Sequence, residues 1–290
     1  MNKKNYIYPF LATSLWGSLY AASKVVLATV PPITVLMFRY LISCVALGLI
    51  AKQRHCMKKI PKSDWLAMFG IGFIAYFIAN ICQLCGTARV GASMASLINA
   101  LNPITMPVMA AIFLHEKLTP RRCLAIVFAV AGVYIVLGVN TAELSLDYLG
   151  VLLSFGCVFF FTIGSLIMRK ISGRYDPVEV TLVGMLIALV FNIPASAWEL
   201  RTSSCQILPI TVVCLLYMGI FGTAVAHSLW NKGLKMLDTG TCSMFYPMQP
   251  IVTVIIASLF LNEPLTLNFA VGACIIIAAI FVGLSGGRRK

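Results

Sequence analysis

Apolar residues in this chain come in long unbroken runs, separated by short polar connectors. Ten runs stand out: 6 to 26, 33 to 51, 65 to 86, 91 to 114, 122 to 139, 149 to 168, 178 to 198, 208 to 230, 239 to 261 and 268 to 286. Each is long enough to cross a hydrocarbon core of about 30 Å at a rise of about 1.5 Å per residue. With no water in that core to satisfy backbone N–H and C=O groups, only helices or a closed barrel can span it. Continuous apolar length of this kind predicts helices. The longest connector, 51 to 64, is too short for a soluble domain. The first run follows MNKK and contains YAAS, as a secretory signal would, but its counterpart at 149 to 168 cannot be one, so a retained first helix is expected.

Composition strengthens this reading. The 290 residues are 60% hydrophobic and 11% charged, against about 25% charged in ordinary soluble domains; the mean hydropathy is +0.94. A net charge of +13 would suggest nucleic acid in a soluble protein. Here the basic residues sit in the connectors, where they act as topology signals. With a cytoplasmic N-terminus, 18 of the 22 Lys and Arg fall inside, namely Lys3, Lys4, Lys52, Arg54, Lys58, Lys59, Lys62, Lys117, Arg121, Arg122, Arg169, Lys170, Arg174, Lys232, Lys235, Arg288, Arg289 and Lys290. Only Lys24, Arg89 and Arg201 fall outside, and Arg39 lies within a helix. This asymmetry predicts ten spans in the cell (inner) membrane with both termini cytoplasmic.

The chain also repeats itself. Sliding it by 147 positions aligns Pro103 with Pro250, Phe113 with Phe260, Glu116 with Glu263 and Leu118-Thr119 with Leu265-Thr266, with eight identities over the seventeen positions 103 to 119. Two units of five helices follow, 1–145 and 146–290. Because five is odd, the copies enter the membrane in opposite senses. HEKLTPRR on the predicted inner side carries Lys117, Arg121 and Arg122, whereas its copy NEPLTLN has no basic residue. The expected fold class is an all-α membrane protein of ten transmembrane helices in two inverted repeats, an architecture of secondary transporters.

The early LWGS at 15 to 18, the FRYLIS arginine Arg39, and the paired NPITMPVMAAIFLHEKLT and QPIVTVIIASLFLNEPLT segments resemble the EamA branch of the drug/metabolite transporter superfamily over essentially the whole chain. The resemblance implies an exporter of small metabolites such as amino acids, working by alternating access, with a cavity lined mainly by helices one, three, four, six, eight and nine. A channel or a multidrug efflux carrier is the alternative. The implied partners are a small-molecule solute and the bilayer, with a homodimer compatible and nucleic acid not expected.

Polar side chains at membrane depth are costly and usually face a cavity or a partner. The repeat pairs Asn80 with His227, Ser96 with Ser243, Asn99 with Tyr246, and Asn102 with Gln249. Asn80, Asn99, Asn102, His227, Tyr246 and Gln249 are therefore candidate solute contacts; hydrogen bonding between packed helices is the competing reading. Trp16 and Tyr20, one turn apart, could stack on a solute, and Trp65 and Trp198 at helix ends suit interfacial anchors. Arg39, about 10 Å deep at the helical rise, could attract a carboxylate or bond to backbone carbonyls. Pro103, Pro107, Pro247 and Pro250 each remove a backbone donor and predict kinks or breaks. Glu116 and Glu263 precede Thr119 and Thr266, which suit N-caps of helices five and ten, so each acid is expected near the positive end of the next helix.

No Asp or Glu falls in the middle of a run, which argues for facilitated diffusion or exchange over a carboxylate proton relay. The Cys82–Cys85 pair lies within an apolar run without a second pair at zinc-like spacing, so neither a metal nor a cofactor is expected. GIGFIA at 70 to 75 lacks the strand and turn of a dinucleotide site. No catalytic cluster emerges by spacing, and the chain is not read as an enzyme.

Overall fold

The computed structural model describes residues 3–116, 119–137, 147–261 and 267–285, which are helical with no strand among them. Ten membrane helices are traced: α1 Ile7–Val26, α2 Pro32–Arg54, α3 Lys62–Gly91, α4 in two halves (92–99 and Asn102–Leu114), α5 Pro120–Leu137, α6 Tyr148–Ile171, α7 Pro177–Glu199, α8 Pro209–Met236, α9 in two halves (Thr239–Ser243 and Met248–Leu261) and α10 Leu267–Ser285. By length and composition α2, α3, α6, α7 and α8 can each cross a membrane, and shorter apolar helices lie in α4, α5 and α10.

Local chemistry explains the boundaries. Pro32, Pro120, Pro177 and Pro209 open α2, α5, α7 and α8, where a missing N–H costs nothing. Asp147 caps α6 by accepting from Gly150 N at 3.0 Å, and Asp176 caps α7 by accepting from Val178 N at 2.9 Å. Gly91 separates α3 from α4 at φ 80°, a conformation that penalises any side chain.

The repeat is visible in the packing. α5 pairs with α10 and α2 with α7; α3 packs on α6 and α7 as α8 packs on α1 and α2. Each relation maps onto its counterpart when the halves are exchanged, so the chain is two inverted five-helix repeats. A further feature keeps the same register: α3 widens to π-helix over Ile71–Ile78 and α8 over Met218–Val225, 147 positions apart. The carbonyls of these wide turns find side-chain donors. Asn80 Nδ2 donates to Ala75 O at 3.0 Å, Thr223 Oγ1 to Met218 O at 2.7 Å and Ser43 Oγ to Gly219 O at 2.6 Å, while Tyr40 Oη donates to Tyr76 O. Gly72 and Gly219 lie at equivalent places in the two turns. A Cβ on Gly72 would stand 2.6 Å from Ile187 Cβ, and one on Gly219 2.6 Å from Ile42 Cγ2. Small residues of this kind let membrane helices approach closely.

Large apolar side chains face outward, among them Val45, Leu49, Leu152, Val190 and Leu259, while the interior combines an apolar core with buried polar side chains such as Arg39, Asn99 and Asn102. Trp65 and Trp198 are exposed at helix ends, and Arg201 stacks over Trp198 at 5.5 Å. Contacts between connectors fall into two sets. At one end Arg174 forks onto Asp64 at 2.7 and 2.9 Å and Lys235 Nζ donates to Tyr175 O at 2.9 Å. At the other, Arg89 pairs with Asp147 at 2.9 Å, and Glu199 accepts from Ile33 N at 3.0 Å and Thr34 N at 2.8 Å. Each of these contacts joins segments that the charge asymmetry assigns to the same side.

Candidate functional site

The two broken helices meet near the centre of the molecule. In α4 the break falls at Ala100 and Leu101, where Leu101 N bonds back only to Ile98 O at 3.0 Å. In α9 a run of i→i−3 bonds carries the chain from Ser243 to Met248: Phe245 N to Cys242 O at 3.2 Å, Tyr246 N to Ser243 O at 3.0 Å and Met248 N to Phe245 O at 3.0 Å. The tighter 3₁₀ spacing accommodates Pro247 while keeping these carbonyls bonded. Pro247 sits at the interruption of α9, and Pro103 and Pro250 lie in the first turn of the second halves of α4 and α9, whereas Pro107 lies inside the continuous helix Asn102–Leu114 and marks no break.

Around these breaks is a central void of about 30 Å³, lined by Trp16, Leu19, Arg39, Asn80, Gln83, Asn99, Cys157, Phe161, His227, Tyr246 and Gln249. That is room for water but not for a metabolite. It draws on α1, α3, α4, α6, α8 and α9, with Arg39 added from α2. Of the candidate solute contacts, Trp16, Asn80, Asn99, His227, Tyr246 and Gln249 reach the void. Tyr20 and Asn102 stand one layer behind: Asn99 Nδ2 donates to Tyr20 Oη at 2.6 Å, and Asn102 Nδ2 donates to Asn99 O at 2.8 Å. Gln83, Cys157 and Phe161 are wall residues that sequence reasoning missed. Gln83 had a usable signal, a polar side chain one turn from Asn80; Phe161 had none in so aromatic a chain.

One wall is aromatic. Trp16 meets Phe161 edge-on at 5.5 Å, His227 at 5.1 Å, Trp230 at 5.4 Å and Tyr246 at 6.0 Å between ring centroids. Polar side chains complete the lining. Arg39, 1% exposed, donates from Nε to Thr223 Oγ1 at 3.0 Å, and that hydroxyl in turn donates to the π-turn carbonyl of Met218. No carboxylate forms an ion pair with Arg39 among the described residues. His227 Nδ1 lies 3.0 Å from Thr223 O. A carbonyl can only accept, so Nδ1 carries a proton. Among the buried polar atoms of the described residues that lack a partner, two belong to this region, the Trp16 Nε1 donor and the Asn102 Oδ1 acceptor. Such atoms carry a free-energy cost unless a ligand or water completes them.

The acid of the first proline-to-glutamate motif acts elsewhere than expected. The Glu116 carboxylate accepts from Thr239 N at 3.2 Å, Thr239 Oγ1 at 3.1 Å and Gly240 N at 3.3 Å, at the start of α9 in the other repeat. Arg169 Nε of α6 lies 3.7 Å away. The chain folds back so that the end of α4 meets the start of α9 and its first N–H groups. Glu263 lies outside the described residues.

The EamA-like transporter family profile matches the chain twice, over residues 3–138 and 148–284. The chain belongs to the EamA-like transporter family. An uncharacterized transporter of Archaeoglobus fulgidus is 24% identical over 281 residues, covering 96% of this chain and 98% of that one. A probable amino-acid metabolite efflux pump of Escherichia coli K12 is 22% identical over 300 residues, covering 100% and 98%. A solved crystal structure superposes with a TM-score of 0.82 at 18% identity, covering 100% of this chain and 99% of that one. This EamA-like chain is therefore a membrane transporter of the drug/metabolite transporter superfamily.

Proposed function

We propose that this EamA-like chain is a secondary carrier that exports small carboxylate-bearing metabolites, amino acids or close relatives, across the cytoplasmic membrane by alternating access. The observation that carries this reading is a buried arginine without an acidic partner, facing a void whose other walls are aromatic rings and amides. A carboxylate would pair with Arg39, an apolar or aromatic side chain would stack on Trp16 and Tyr246, and Asn80, Asn99 and Gln249 would orient the remaining polar groups. The efflux-pump relative supports the solute class. The units 1–145 and 146–290 act as the two halves that exchange roles, with both termini cytoplasmic. The Glu116 contact between α4 and α9 closes the inner side and opens as the halves rock. With no carboxylate in the middle of a membrane helix among the described residues, exchange or facilitated diffusion is favoured over proton coupling.

The test is counterflow in proteoliposomes. Labelled amino acid should accumulate transiently against an unlabelled internal pool and saturate with concentration. Linear uptake without trans-acceleration would replace the carrier by a channel. Preference for planar cations over carboxylates would favour the multidrug reading that the aromatic wall also suits.

A further inference from the structure

A second cavity of about 340 Å³ lies between the inner ends of α2, α7 and α8, on a face of α8 different from the one that presents His227 to the central void. Its lining falls into two zones. At the mouth stand Arg54, Lys232 and Lys235, with Asp176 the one acidic group. Asp176 is engaged as the cap of α7, and Lys235 bonds to the Tyr175 carbonyl. Lys232 rests over the Tyr8 ring at 4.3 Å, and among the described residues none of the three cations is held in an ion pair. Deeper, the walls are Leu47, Ile50, Ala224, Val225 and Leu229, interrupted by Ser228, whose buried hydroxyl has no partner. From Met236 to Ala224 the cavity follows α8 for about 18 Å at the helical rise, well beyond the headgroup layer.

A free phosphate would use only the mouth of such a cavity. A phospholipid uses all of it, with its phosphate among the cations, a glycerol or ester oxygen within reach of Ser228, and an acyl chain along Leu47, Val225 and Leu229. Basic pockets between membrane helices on the cytoplasmic side have the chemistry to hold anionic headgroups. We propose that this cavity is a binding site for one anionic phospholipid of the cytoplasmic leaflet, separate from the solute site.

The test is thermal unfolding of the purified full-length protein in detergent, titrated with dioctanoyl phosphatidylglycerol, dioctanoyl phosphatidylcholine or inorganic phosphate. Phosphatidylglycerol should raise Tm saturably where the other two do not. The triple variant Arg54→Gln/Lys232→Gln/Lys235→Gln should bind it at least about tenfold more weakly, given a contribution near fivefold per basic residue. Lys58→Gln/Lys59→Gln, which removes charge from the adjoining connector, should bind as the wild type does. Ser228→Leu fills the deep zone with all charges kept and should also abolish the shift. Each variant is first melted without lipid, and one that unfolds early is replaced by its single substitutions. Equal effects of the two lipids, retained binding in both the triple and the Ser228→Leu variants, or a phosphate effect as large as that of the lipid would overturn the assignment.

Discussion

Arg39 offers a test that separates a solute-binding role from a structural one. An arginine at the centre of a membrane helix costs about 2.5 to 3.5 kcal/mol on insertion scales. Its hydrogen bond to the neutral Thr223 hydroxyl returns about 1.5 to 3 kcal/mol. These nearly cancel, so Arg39→Met, similar in length and apolar, should change stability by no more than about 1 kcal/mol, a Tm shift of about 2 to 4 °C. Transport should respond far more strongly. A charge pair with a substrate carboxylate in a dehydrated site is worth about 2 to 5 kcal/mol when one partner is truncated, so kcat/KM should fall by at least about 30-fold. The assay is counterflow of an amino acid beside the amine that lacks its carboxylate, with the melting temperature measured on the same preparation. Arg39→Met should erase the preference for the acid, and Arg39→Lys should keep part of it. A large drop in Tm with an unchanged acid-to-amine ratio would mean that Arg39 is a packing residue, and the carboxylate assignment would fail.

The other expected outcomes concern the frame around that site. Glu116→Ala leaves the Thr239 and Gly240 amides without their acceptor and should lower stability by about 2 to 4 kcal/mol, read as a fall in Tm, whereas Glu116→Gln should lose less; equal melting of all three would show the contact to be idle. Gly164→Ala places a methyl 2.1 Å from Ala75 Cβ where α6 crosses α3, which should cost about 1 to 3 kcal/mol, and an unchanged Tm would contradict the close packing. An impermeant thiol reagent should label Cys205 in intact cells and Cys56 only after permeabilisation, and the reverse pattern would invert the topology. The Gly150 amide and Arg89 hold the Asp147 carboxyl below its ordinary value. A depressed folded pKa stabilises above the unfolded value of 3.8 and is lost as pH falls through the folded one, so Asp147→Asn should flatten the acid limb of a Tm-against-pH curve; identical limbs would exclude the linkage.

Membrane class, ten spans, duplication and inversion were legible in the sequence because each depends on residue type along one dimension. Lipid demands continuous apolar length, duplication leaves matching letters at a fixed offset, and basic residues mark connectors whatever the helices do. The acid-tipped endings and interrupting prolines were legible for the same reason. Helix rotation was not, because lipid-facing and packed surfaces are both apolar and the sequence carries little amphipathic signal to set which side turns inward. Only the tertiary structure decided that Gln83, Cys157 and Phe161 reach the central void while Tyr20 and Asn102 stand behind it. It also decided that Glu116 reaches the start of α9 across the repeat, since contacts between distant segments are fixed by how two inverted halves close on each other. The π-turns of α3 and α8 belong to both domains of knowledge. Their 147-residue register follows from the duplication, but their existence follows from packing, in which Gly72 and Gly219 bring neighbouring helices close and Ser43, Asn80 and Thr223 supply the donors that widened turns require.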